Sequence, residues 1–513
     1  MFAPPTIAEI VAVAEGLGLH LGPEDAVLFQ GPLTDQLAGL DAFLQARVEE
    51  ERPPLLVPER APGHRPSDGE DPLRAWLWRC RIEGPSGGLL TGRTVSFKDH
   101  VSVAGIPLTF GTRVLEDLVP DVDATIATRV LEAGGTIVGK NTHHGFGGLR
   151  SVGGGLGDFW DALNPHDHGR QTGGSSSGSA VAVAAGEVDV AFGGDQGGSI
   201  RHPAAYCGVV GLKPTFGLVS HMGVAYGGEP SIDHVGPLAR TVRGAAEALQ
   251  AVAGFDGYDP RQGRDVPDAV DALGGLEDGV EGLTIGVVAE GFADPIDDAV
   301  RDSVRAAIDV LRGAGARIVE LSIPEHATVT AAAGALQVEG LGAMRASATG
   351  VFPTGPHAYL PQAITTAVDR AWTDQGDQMA GYLKLTWILG ALSRRRFHGA
   401  VYAKAQNVRR SFMKAYDRAL DQVDVLALPT CPVVAPEVPA PLAPAAAWKR
   451  EIDVLGEIFP SYRNVQPFNY TGHPAIAVPC GPPGALPHSL QLVGRAFADP
   501  LVLRVAHTYE QTR

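Results

Sequence analysis

The sequence predicts an α/β protein, and three observations carry the prediction. After Trp76, short β-branched runs at 94–104, 136–139, 188–193 and 283–288 are separated by helical segments and glycines. A helix read over 123–133 ends at Gly134-Gly135 and feeds directly into the strand at Thr136. Strand signals vanish between 325 and 413, where alanine-rich helical stretches dominate, and return at 423–428, 475–479 and 490–493. The bulk of the chain therefore reads as one α/β domain interrupted by a helical insertion.

Taken in order, the chain opens with a helix: Thr6 and Glu9 can form a capping box, and Ile7, Ile10, Val11, Ala14 and Leu17 recur at helical spacing. A second apolar stripe follows at Leu33, Leu37, Leu40, Leu44 and Val48. Pro53, Pro54, Pro58, Pro62, Pro66 and Pro72 then block helix and sheet alike, as in a linker. These features divide the chain into an N-terminal helical region and linker over 1–75, a first core part over 76–324, the helical insertion over 325–413 and a second core part over 414–513. The alanine- and proline-rich stretch 432–447 reads as an irregular excursion.

Composition narrows the function classes. At 513 residues the chain is too long for one simple core, and 44% apolar against 19% charged residues exclude disorder as its main state. The 41 basic and 58 acidic residues give −17, a field that repels phosphate backbones and anionic lipid, and no basic patch offsets it. Nucleic acid and membrane are therefore not expected partners. Cys80, Cys207, Cys431 and Cys480 lie far apart without zinc or redox spacing, which reads as free thiols in a reducing compartment. Residues 1–10 lack the features of a secretory signal and no apolar run approaches about 18 residues, so a cytoplasmic location is expected.

The chemistry concentrates in 173–220. Gly173-Gly174-Ser175-Ser176-Ser177-Gly178-Ser179 precedes an alanine-valine helix, a strand follows, and then comes Gly193-Gly194-Asp195-Gln196-Gly197-Gly198-Ser199-Ile200-Arg201. Glycines before a serine let the backbone approach a substrate and turn successive N–H groups inward, as an oxyanion hole requires, which makes Ser199 a nucleophile candidate. By composition alone the two loops read equally well as flexible or phosphate-cradling turns, although no Gly-Lys-Ser or Gly-Lys-Thr follows either. A serine needs a base, and a lysine serves if burial lowers its pKa from about 10.4. Lys98, one of seven lysines, sits in the strand-like run Arg93-Thr94-Val95-Ser96-Phe97-Lys98-Asp99-His100. There it can equally face solvent or pair with Asp99.

Together these pieces resemble the amidase signature family in order and spacing: a strand Lys98-Asp99, then Gly173-Gly174-Ser175-Ser176, then Gly197-Gly198-Ser199-Ile200-Arg201. Ser175 stands 24 residues before Ser199, which selects it from the three-serine run, and Lys98 stands 77 residues before Ser175. The likeness continues through Pro203 to Thr215, Asp233 to Leu238, Thr471 to Ala475 and Leu490 to Arg495. The resemblance implies the amidase signature fold, a large mixed β-sheet flanked by helices. It also implies amide hydrolysis by a Ser-Ser-Lys triad without a cofactor or metal. In it Ser199 is acylated, Ser175 relays the proton and neutral Lys98 accepts it. The backbone N–H groups of Gln196, Gly197, Gly198 and Ser199 are expected to hold the oxyanion. Ser175 is expected in a cis peptide linkage, and Asp195 and Arg201 are read as a structural pair. The N-terminal helices resemble the subgroup of broad-specificity bacterial amidases that dimerise, which implies a homodimer acting on a small-molecule amide.

Three departures bear on the substrate. Ser177 stands where the family usually has glycine, and His100 where asparagine is common. After Gly139-Lys140 many members carry an acidic pair, whereas this chain has His143-His144-Gly145-Phe146. His143, His144, Phe146 and Ser177 are the expected pocket residues, and a pocket without carboxylates points to neutral, aromatic or apolar acyl groups. Rival readings are hydrazide, carbamate or ester hydrolysis on the same triad, or the amidase component of a glutamine-dependent transamidation complex. A third is a metal-dependent hydrolase using His143, His144, His166 and His168.

Overall fold

The computed structural model describes residues 2–144, 159–225, 228–347, 355–379, 381–438 and 461–513, which fall into two compact units, Met1–Arg52 and Pro53–Arg513. The first holds α1 (Ile7–Gly16) and α2 (Pro23–Gln45). The capping box forms as the sequence reads: Thr6 accepts from the Glu9 N–H and Glu9 accepts from the Thr6 N–H. Proline at the start of α2 needs no donor there. Ile10, Ala14 and Ala26 are buried, whereas Leu33, Leu37, Leu40 and Leu44 of the second stripe are exposed.

The proline-rich segment after Arg52 belongs to the larger unit instead of standing apart from it. His64 and Arg79 exchange backbone hydrogen bonds. Arg60 forms a two-pronged ion pair with Asp123 at 2.7 and 2.5 Å. That pairing also revises the helix read over 123–133. Asp123 does not cap it: its carboxylate is spent on Arg60 and the Ala104 N–H, so α3 (Thr125–Glu132) begins without a side-chain cap.

The larger unit is built on one mixed sheet, eleven strands among the described residues, in the order β1-β3-β2-β4-β6-β5-β10-β11-β9-β7-β8. The strands are β1 (Trp76–Glu83), β2 (Thr94–Lys98), β3 (Thr136–Asn141), β4 (Val190–Asp195), β5 (Val210–Lys213), β6 (His234–Ala239), β7 (Thr284–Val288), β8 (Arg317–Leu321), β9 (Val425–Pro429), β10 (Ala475–Pro479) and β11 (Ser489–Val493). β2 runs parallel to both β3 and β4, and β7 parallel to β8 and β9. The remaining pairs are antiparallel. Central strands such as β4 and β9 are buried along their whole length and accordingly read as continuous apolar runs without alternation.

Helices cover the sheet. α4 (Ser177–Ala184) and α5 (Arg201–Cys207) flank β4 in sequence, and α6 (Val242–Val252) and α7 (Asp298–Gly313) bury regular apolar stripes. Between 325 and 413 the described residues are helical, as expected: α8 (Val329–Ser347), α9 (Gln362–Asp374), α10 (Gly381–Phe397) and the first part of α11 (Ala400–Leu420). α12 (Gln466–Thr471) and α13 (Asp499–Thr512) complete the chain. Most of 432–447 lies outside the described residues.

Candidate active site

The parallel pairing of β2 with β4 places their C-terminal ends side by side, with Phe97 opposite Phe192, where ligands bind in open α/β sheets. Lys98 is the last residue of β2, and the chain leaving β4 turns through 196–200 into α5. The loop leading into α4 delivers Ser175 to the same place. Lys98 and Ser175 are both buried, and Lys98 Nζ and Ser175 Oγ share a 2.7 Å hydrogen bond. Asp99 is not the partner of Lys98: its carboxylate binds Lys140 Nζ at 2.8 Å and Thr109 at 2.9 and 2.5 Å. Of the two sequence alternatives for Lys98, neither solvent nor Asp99 holds.

The three serines of the run have different surroundings. Ser175 faces Lys98, and the Gly174-Ser175 peptide is cis. Ser176 is structural, its Oγ donating to the Gly194 carbonyl and its N–H to that of Ser199, both at 3.2 Å. Ser177 opens α4 fully buried, and its hydroxyl finds no hydrogen-bond partner among the described residues. Ser199 is partly exposed, unlike the buried Lys98 and Ser175 behind it, which is the gradient a nucleophile and its proton relay need.

The backbone donors around Ser199 depart from expectation at one position. The Gly198 N–H is donated to Asp195 Oδ1 at 2.6 Å and is therefore not open to a substrate oxygen. Among the described residues the N–H groups of Gln196, Gly197 and Ser199 have no protein acceptor. The cause is the anchor beneath the turn. Asp195 Oδ2 accepts from Ile200 N–H (3.0 Å) and Arg201 Nε (3.1 Å), and Oδ1 accepts from Arg201 Nη2 (3.1 Å) and Asn469 Nδ2 (2.8 Å). Arg201 reaches further to Asn469 Oδ1 and Gln491 Oε1. The structural pairing read for Asp195 and Arg201 is thus present, and it fixes the turn by taking one of its donors.

Burial and charge set the protonation states. Burial opposes ionisation of Asp195, but the Arg201 charge and the hydrogen bonds from Arg201, Asn469 and Ile200 outweigh it and hold the carboxyl well below its usual range. Among the described residues no carboxylate is in contact with Lys98. Burial pushes it down to about 8, against the pull of Asp233 and Asp195. Burial raises the Asp233 carboxyl, with Arg261 and Lys98 opposing.

The histidines divide into two places. His143 is buried, its Nδ1 2.8 Å from the His144 carbonyl and its Nε2 3.2 Å from that of Asp99. His144 sits against the relay loop, its N–H donating to the Ser175 carbonyl at 3.2 Å. A Cβ on Gly174 would stand 2.3 Å from its ring, so this glycine is required. His100 likewise fills the space that a side chain on Gly194 would need. His166 and His168 are exposed, and His166 Nε2 lies 3.0 Å from the Cys207 carbonyl. The four histidines of the metal reading do not converge, and among the described residues no three His, Cys, Asp or Glu side chains form a metal-binding group. Phe146 lies outside the described residues.

Sequence reasoning missed His202, Tyr462, the Gln196 side chain and the place of Asp233. Gln196 Nε2 donates to Asp233 Oδ2 at 2.7 Å, tying the nucleophile turn to the start of β6. The antiparallel register of β4 and β6, which sets Asp195 opposite His234, brings them together and is invisible in sequence. His202 did carry a signal: a histidine in an otherwise apolar helix directly after the Gly-Gly-Ser-Ile-Arg motif.

Comparison with known proteins agrees with this geometry. The family profile described as Amidase matches residues 76–503. An enantioselective amidase of Rhodococcus rhodochrous is 39% identical over 447 residues, covering 86% of this chain and 84% of the relative. A component of the glutamyl-tRNA(Gln) amidotransferase of Halobacterium salinarum is 38% identical over 443 residues, covering 86% and 100%. The crystal structure of peptide amidase from Stenotrophomonas maltophilia superposes with a TM-score of 0.66 at 29% identity, covering 86% of this chain and 90% of that one. With a family match across most of its length and its fold, this chain belongs to the amidase family, enzymes that hydrolyse amide C–N bonds.

Proposed function

We propose that Ser199, Ser175 and Lys98 carry out amide hydrolysis in this protein. The observation that carries the reading is the buried 2.7 Å contact between Lys98 Nζ and Ser175 Oγ beside the more accessible Ser199. Ser199 Oγ attacks the carbonyl carbon, its proton passing to Ser175 while the Ser175 proton passes to neutral Lys98. The N–H groups of Gln196, Gly197 and Ser199 stabilise the oxyanion, each such donor contributing about 3 kcal/mol. Collapse of the tetrahedral intermediate breaks the C–N bond, and the relay returns a proton to the leaving amine. Water then attacks the acyl-enzyme with the same relay as base.

Neutral, aromatic or apolar acyl groups suit the surroundings. Val465 and Tyr462 pack against Gly198, and buried His143 is held neutral by burial and by the Lys98 charge. The protein acts as a homodimer in the cytoplasm on this reading. Support comes from the exposed Leu33, Leu37, Leu40 and Leu44 of α2, outside the matched region, and from four free cysteines. The amidotransferase relatives favour one alternative, a glutamine amidase working within a transamidation complex.

Incubation with a fluorophosphonate followed by peptide mass spectrometry should find the label on Ser199, with Ser199→Ala inactive and folded. A panel of amides, anilides, hydrazides, carbamates and esters assayed on the isolated protein separates the alternatives. Label on another serine, with Ser199→Ala still turning over, would sink the reading.

A further inference from the structure

His202 makes two contacts that tie the two serine loops together. Its backbone N–H donates to the Gly198 carbonyl at 2.7 Å, immediately before Ser199. Its Nδ1 accepts the Gly174 N–H at 3.3 Å, immediately before Ser175. The buried ring stacks on Tyr462, centroids 4.2 Å apart at 17°, and lies 4.4 Å from the Tyr206 ring. The Tyr462 hydroxyl donates to the Gly174 carbonyl at 3.4 Å, so the stacked pair holds both polar groups of Gly174.

The surroundings leave this grip little slack. A Cβ on Gly173 would lie 2.7 Å from His202 Nδ1, and one on Gly198 2.3 Å from Val465 and 3.2 Å from Tyr462. The imidazole is also in the form the contact needs. Burial pushes its pKa down to about 3, against the pull of Asp195, so Nδ1 is free to accept at any neutral pH and the proton resides on Nε2.

We propose that His202 is a positioning residue that sets the separation of Ser175 from Ser199, gripping Gly174 with its imidazole and Gly198 with its backbone. The proposal rests on the Ser199, Ser175 and Lys98 reading above. Proton relay between two hydroxyls works only within hydrogen-bond reach, and a displacement of about 1 Å costs on the order of 100-fold in rate. The backbone contact survives any substitution, so the side chain alone is tested.

The experiment measures the rate of fluorophosphonate labelling of Ser199 in the full chain, with kcat and KM on the best amide of the panel and thermal midpoints alongside. His202→Leu removes the acceptor at similar size to His202→Asn, whose Oδ1 can replace Nδ1, and His202→Phe keeps the stack without the acceptor. The Leu and Phe variants should label and turn over about 10- to 100-fold more slowly with KM within about 3-fold, and Asn should recover to within about 5-fold of wild type. Wild-type rates for Leu and Phe, or an Asn variant as slow as Leu, overturn the proposal. Should Leu and Phe fail to fold, Tyr462→Phe decides: slower labelling at unchanged KM supports the grip on Gly174, and a wild-type rate refutes it. Ser175→Ala and Lys98→Ala serve as references. If both label like wild type, the relay reading fails and the proposal with it. If both are impaired while every His202 variant is normal, the proposal fails alone.

Discussion

Lys98 Nζ lies 2.7 Å from Ser175 Oγ, while Asp99, its neighbour in sequence, turns to Lys140 at 2.8 Å. A lysine in contact with a carboxylate would be held protonated. Lys98 touches a hydroxyl instead, so burial prevails and its pKa falls to about 8. At pH 7 roughly one molecule in ten then carries the neutral base, against about three in ten thousand at an unshifted lysine. The base works deprotonated, so kcat/KM should fall about tenfold per pH unit below about 8 and level off above it. A pH profile from 6 to 10 checks this, and a flat profile or a limb near the ordinary lysine range contradicts the assignment.

Removing the base should cost more than removing the relay. Lys98→Ala is expected to lose several orders of magnitude in kcat, and Ser175→Ala somewhat less, because a water can enter the space and pass the proton. Steady-state kinetics on the same amide ranks them. A wild-type-like Lys98→Ala enzyme would exclude the triad.

Asp195 and Arg201 are both fully buried, and Asp195 also holds the Gly198 and Ile200 N–H groups. Asp195→Asn leaves the Arg201 charge with no carboxylate in contact, so destabilisation of about 3–5 kcal/mol is expected, with loss of the nucleophile turn's shape. Denaturant melts measure the first and Ser199 labelling the second. A variant as stable and as reactive as wild type would show that the pair anchors nothing.

His166 and His168 stand exposed, with His166 against the Cys207 carbonyl and not at Ser199. Alanine at either position should change kcat/KM by less than about twofold, within the small range of surface substitutions, and chelators should leave activity intact. Activity lost on chelation and restored by zinc, with Ser199→Ala still active, would revive the metal reading.

The sequence by itself determined the α/β class, the helical stretch between 325 and 413, the capping box at Thr6 and the identity of the three residues proposed to react. Those features are local or depend on fixed spacing: a helix period, a cap three residues from its partner, or a serine 24 residues before another. Boundaries suffered where a distant group competed, as when Arg60 drew Asp123 away from the start of α3. Strands such as β1, with its irregular pairing, and the short β5 were hidden because pairing with partners far along the chain stabilises them. The tertiary structure alone decided the partners: Lys98 with Ser175 and not Asp99, Gly198 with Asp195 and not an oxyanion, His202 with Gly174. Each joins groups that the fold, and not their order in the chain, brings together, because side-chain direction and burial at the sheet's C-terminal edge select them.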